Sequence, residues 1–168
     1  MSTAAQEKQD EIISGLIEAR RQILNVGYAL PPDKRDEVLL GVWSVRDLLA
    51  HLVGWDYTNI DAVRAILSDE LPEFYAHHDR GWKTYNACLV EQHMKDDYVE
   101  LLSSVENSHR QLIEFLATVP ADEFDKDRGL RFKRYKVTIA RLIEAEADDE
   151  KEHHIQIKEF ARGSSAEK

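Results

Sequence analysis

The 168 residues predict an all-α protein, a four-helix bundle with a long connection between its second and third helices. Three observations carry that prediction. Four long segments repeat apolar residues at three- and four-residue steps, the period of one helix face. Runs that alternate polar and apolar residues are nearly absent, so strands are not expected beyond a short extended piece around 130–135. All 4 prolines fall between the periodic segments rather than inside them.

The first helix is expected from about Gln6 to Leu30, with Ile13, Leu16, Ile17, Ile23 and Leu24 on one side. Pro31-Pro32 ends it, because neither residue can donate to a continuing helix. The second opens at Ser44, where a hydroxyl and the Asp47 carboxylate three residues on can satisfy the free amides of a first turn. Val45, Leu48, Leu52, Trp55, Val63 and Ile66 form its apolar face, which runs to about Leu67. A connection from Ser68 to Tyr85 follows, holding Pro72, His77, His78 and Gly81; loops of this length in compact domains often cover a site. The third helix is expected from Asn86 to Val119 as one piece, with His109 in the middle of its core face. The fourth begins near Thr138 and ends before Gly163, leaving 1–5 and 163–168 as frayed ends of a single domain.

Composition narrows the function. Hydrophobic residues at 43% and charged residues at 32% are ordinary for a soluble globular domain. A formal charge of −10 repels phosphate backbones, and the most basic stretch, Arg128 to Lys136, is short. No nucleic-acid partner is expected. The single cysteine, Cys88, excludes an internal disulfide framework and any multi-cysteine metal site. No segment approaches the roughly 20 apolar residues of a membrane span, and no secretory signal opens the chain, so no membrane partner and a cytoplasmic location are expected.

The fourth helix carries the chemistry. Its apolar stripe, Ile139, Leu142, Ile143, Ile157 and Phe160, passes through Glu146, Asp149 or Glu150, and His153. Carboxylates and an imidazole on a buried face need partners. Residues four apart share a face, so Asp149 with His153, or Glu150 with His154, could share an ion. Phase favours Asp149 and His153, with Glu150 as a competing carboxylate. His51 on the second helix is the best-placed third ligand, and three ligands plus water is a catalytic arrangement. Glu146 could be a ligand or a base on bound water. The plainer alternative is a solvated acidic face. Arg20, on the first helix's apolar face, could neutralise a carboxylate such as Glu146. Trp43, Trp55 and Trp82 are core or loop anchors that could also wall a pocket.

Trp43-Ser-Val-Arg-Asp-Leu-Leu-Ala-His51-Leu-Val-Gly-Trp55 and Glu152-His153-His-Ile-Gln156-Ile157 resemble the second- and fourth-helix motifs of the DinB-like superfamily of bacterial four-helix bundles. Asn86 and Ser108-His109 add to the likeness, which spans about Glu11 to Ala161. The resemblance implies a divalent cation, zinc or nickel, on His51, Asp149 and His153, and a homodimer. It also implies a small-molecule substrate and a low-molecular-weight thiol partner such as bacillithiol or mycothiol. On that reading the chain is a metal-dependent hydrolase or thiol transferase, the ion activating water or a thiol against a small electrophile while Glu146 or Glu150 moves the proton. Asp149 stands where the family has a histidine, which keeps open the alternative of a metal-free binding or interaction protein without catalytic activity.

Overall fold

The computed structural model describes residues 3–77 and 81–166; His78 lies outside them. Five α-helices are present among the described residues: α1 Ala4–Ala29, α2 Val45–Leu67, α3 Trp82–His93, α4 Tyr98–Thr118 and α5 Ile139–Ala166. Helices α1, α2, α4 and α5 form the bundle, α1 lying on α5 and α2 on α4, while α3 packs on α2. The all-α bundle predicted from periodicity is what folds. Among the described residues no helix is long and apolar enough to cross a membrane.

The start of α2 follows its sequence closely. Ser44 Oγ accepts from the Asp47 amide and the Asp47 carboxylate accepts from the Ser44 amide, a reciprocal capping box. The third segment departs from expectation, because it is two helices rather than one. Met94 turns extended after α3, and Asp97 starts α4 by accepting from the amides of Val99 and Glu100. An aspartate that satisfies two free amides makes a new N-terminus there more favourable than a continuous helix. The last helix also runs on to Ala166, past Gly163.

Two small hairpins decorate the connections: β1 Val38–Leu40 with β2 Trp43–Ser44, and β3 Arg131–Phe132 with β4 Tyr135–Lys136. Gly41 sits at φ +58° in the first turn, a conformation that glycine adopts without a side-chain clash. Gly54 has a different purpose. A Cβ there would lie 2.7 Å from Leu89 Cβ, so its absence lets α3 seat directly on α2.

The core is divided. One apolar cluster holds Leu16, Val63, Leu112, Leu116 and Ile143; the other holds Ile23, Leu49, Leu102, Val105 and Ile157. Between them every bundle helix contributes a buried polar residue: Arg20 from α1, Asp56 from α2, Ser108 from α4 and Glu150 from α5, each 0% exposed.

Candidate functional site: an aromatic cavity above a buried charge layer

The polar layer is closely bonded. Arg20 grips Asp56 with both terminal nitrogens, at 2.8 and 2.7 Å, and donates from Nε to Glu150 at 2.5 Å. Ser108 Oγ donates to Asp56 Oδ2 at 2.5 Å. Burial alone would favour a neutral Arg20, but the charges of Asp56 and Glu150 reverse this and hold its pKa above the ordinary value. The partners of Arg20 are therefore Asp56 and Glu150, not Glu146 as its position in sequence suggested. His109, nearby on α4, has both ring nitrogens buried without a partner, and burial with the Arg20 charge pushes its pKa down to about 3.

One turn before Glu150 on α5, Glu146 leaves this layer and lines a cavity of about 460 Å³ between α2 and α5. Burial and the charges of Glu150 and Asp56 push its carboxyl up to about 8, with Arg20 opposing. Glu150 is raised too, by burial against the opposing pull of Arg20. One guanidinium faces three carboxyls, and three anions in so little water would repel one another. Glu146 lacks a bond to Arg20, so of the two raised carboxyls it is the one less favoured as an anion.

The cavity walls are aromatic. Trp55 meets Phe74 at 5.3 Å and Trp82 at 5.2 Å between ring centroids, and Phe74 stacks on Tyr75 at 4.4 Å. Trp55 Nε1 donates to Asn86 Oδ1 at 2.9 Å, tying the wall to α3. All 3 tryptophans of the chain line the cavity, and they serve the core as well: Trp55 belongs to it, and Trp43 and Trp82 pack against it. The connection expected to cover a site does so through Phe74, Tyr75 and Trp82.

His51, Asp149 and His153 all line this cavity. The rings of His51 and His153 stand edge-on at 5.9 Å, and His153 Nδ1 is engaged with Gln156 Oε1 at 2.9 Å. Burial, then the His153 charge, pushes His51 down to about 3, so it is neutral, and its Nδ1 is buried without a partner. Asp149 is exposed, whereas Glu150 is the fully buried member of that pair, reversing the order that phase suggested. Glu150 falls seven residues from both Ile143 and Ile157, which places it on their stripe. Among the described residues no three His, Cys, Asp or Glu side chains converge in a way that could hold a metal ion. His51, Asp149 and His153 share the cavity wall without being grouped closely enough to hold an ion in this arrangement.

Sequence reasoning missed Asp56 and Asn59. Both are polar residues on an enclosed helix. Asn59 is 1% exposed, lines the cavity beside Glu146, and neither its Nδ2 nor its Oδ1 has a hydrogen-bond partner.

The crystal structure of colibactin self-resistance protein ClbS in complex with a dsDNA matches with a TM-score of 0.72 at 16% identity, covering 90% of this chain and 94% of that one. A comparison with curated proteins gives no match. Two expectations are corrected. A protein of this fold is a self-resistance protein solved on dsDNA, so the fold does not bring with it a metal-dependent enzyme that activates water or a thiol. Nor does it exclude nucleic acid as a partner, and the net charge argument fails because binding depends on the local rather than the total charge. The superfamily itself is clear, since its model matches residues 16–157: the chain belongs to the DinB superfamily.

Proposed function

We propose that the chain is a small-molecule-binding protein that works without a metal ion, and that its working site is the cavity between α2 and α5. One observation carries this reading: aromatic walls enclose polar groups, Asn59 and His51 Nδ1, that the protein itself leaves unpartnered. Buried polar atoms are rarely left so, and a ligand would satisfy them. Glu146 supplies a proton donor to whatever binds, because its carboxyl is neutral at physiological pH. The structural neighbour's role in self-resistance to colibactin supports capture of a harmful compound as the purpose.

The test uses the tryptophans that line the cavity. Addition of 2-naphthol should quench their emission saturably, and Ala145→Phe, which fills the cavity from its rim, should abolish the saturable part. Quenching that survives in Ala145→Phe, or that never saturates, sinks the reading.

A second reading concerns nucleic acid. The stretch 128–136 holds Arg128, Arg131, Lys133, Arg134 and Lys136 with no acid among them, and Lys136 also lines the cavity. The neighbour's complex with dsDNA supports nucleic acid as a partner, and the run of cations makes this hairpin the candidate phosphate-contacting edge. Fluorescence anisotropy of a labelled duplex should show salt-dependent binding that Lys133→Glu with Arg134→Glu removes. Equal binding by that double variant rules the hairpin out.

A further inference from the structure

Asn59 is the least explained group in the cavity. It lies one turn beyond Trp55 on α2 and is 1% exposed. It stands close enough to Glu146 to favour that carboxyl's charged form slightly, yet no proper hydrogen bond joins them. A side-chain amide offers a donor and an acceptor in one plane, about two ångströms apart, and is satisfied at both ends only by a partner with the opposite pair. Asparagine uses this bidentate match when it reads the edge of a base.

The surroundings restrict what could bring that pair. Trp55, Phe74 and Trp82 present ring faces and edges, which suit a flat molecule. Glu146 lines the cavity with Glu150 and Asp56 close to it, which disfavours an anion at the Asn59 end, while Lys136 and Arg141 line the same cavity. His51, whose Nδ1 is also unpartnered, is two turns earlier on α2, roughly 12 Å along the axis. That span accommodates two or three fused rings.

We propose that Asn59 is the recognition point of this cavity, and that the cavity takes a neutral planar ligand bearing a C=O acceptor and an N–H donor side by side, as in a carboxamide or cyclic imide. The proposal rests on the cavity being a ligand site. It goes further by naming the chemical edge that the ligand must carry.

Three probes of one shape separate the possibilities: 2-naphthamide, methyl 2-naphthoate, which lacks the donor, and 2-naphthoate, which is charged. Titration calorimetry on the full chain should show 2-naphthamide binding about tenfold or more tighter than the ester, the discrimination expected of a bidentate pair. The anion should bind weakest. Asn59→Leu keeps the volume and removes two unsatisfied atoms, so it should fold at least as well as the wild type. In it the amide and ester should bind within about twofold of each other, with the ester's affinity unchanged. Equal amide and ester affinity in the wild type overturns the role of Asn59 and leaves the cavity standing. So does a preference that survives in Asn59→Leu. Failure of all three probes to bind the wild type overturns both readings.

Discussion

Replacing Arg20 by methionine removes the cation from a layer in which it, Asp56 and Glu150 are all 0% exposed. Methionine fills much of the same space, so the change is mainly electrostatic. Asp56 would keep its bond from Ser108, but Glu150 would lose its bonded partner, because its Oε2 already has none. Breaking a buried pair from one side leaves an uncompensated charge, which costs about 3–5 kcal/mol. Glu150 would then take up a proton more readily, its folded pKa moving further above that of the unfolded chain. Stability from such groups is present below the unfolded carboxylate pKa and is lost as pH rises, so the deficit of Arg20→Met should be smaller at pH 5 than at pH 8. The triple variant Arg20→Met, Asp56→Leu, Glu150→Met removes every charge of the ion pairs and should recover most of the loss. Urea unfolding followed by far-UV circular dichroism reads these differences as shifts in midpoint at constant slope. A single variant that loses less than about 1 kcal/mol, or a triple variant no better than the single, would refute the account of this layer.

Other outcomes follow from the same geometry. The raised Glu146 carboxyl makes wild-type stability fall as pH rises toward about 8, while His51 and His109, both depressed to about 3, act in the opposite sense below their ordinary pKa near 6.5. Between pH 6.5 and 8 the raised carboxyls of Glu146 and Glu150 dominate, so Glu146→Gln should lessen the decline by roughly 1–2 kcal/mol, measured by urea midpoints across that window. A Cβ at position 54 would collide with Leu89, so Gly54→Ala should cost about 1–3 kcal/mol, push α3 outward and weaken 2-naphthol binding seen by tryptophan quenching. Asp97→Ala removes the acceptor for two amides at the start of α4 and should cost about 1 kcal/mol in thermal unfolding, with no change in ligand affinity.

What the sequence revealed and what it hid divide along physical lines. The bounds of α2 were legible because Ser44 and Asp47 form a local capping box whose geometry depends on nothing distant. The break at 94–97 was harder to read because it contains neither proline nor glycine. Its signal was Asp97 followed three residues later by Glu100, a cap pattern hidden inside an apolar period. Helix α2 reads as amphipathic, yet nearly its whole circumference is enclosed by α3, α4 and α5, so Asp56 and Asn59 passed for surface residues. On α5, the stripe of Leu142, Ile143, Ile157 and Phe160 was centred near His153, which turned attention to Asp149, although Glu150 lies seven residues from both isoleucines. The cavity lining was partly visible, since His51, Trp55, Glu146 and His153 were all singled out. Asn59 was not, because only the structure shows that it is buried without a hydrogen bond of normal geometry.

The charge layer between the two apolar clusters has one more consequence. Leucines and isoleucines on neighbouring helices can exchange partners after a slip of one turn with little change in buried area. Arg20, Asp56, Ser108 and Glu150 cannot, because sliding any one helix by 5.4 Å would strand a charge opposite hydrocarbon. The layer therefore works as a vernier mark: four helices fit together at one axial setting. Since Glu146 sits a single turn from Glu150, and Asn59 a single turn from Asp56, that setting also fixes the depth and spacing of the two polar groups at the cavity floor.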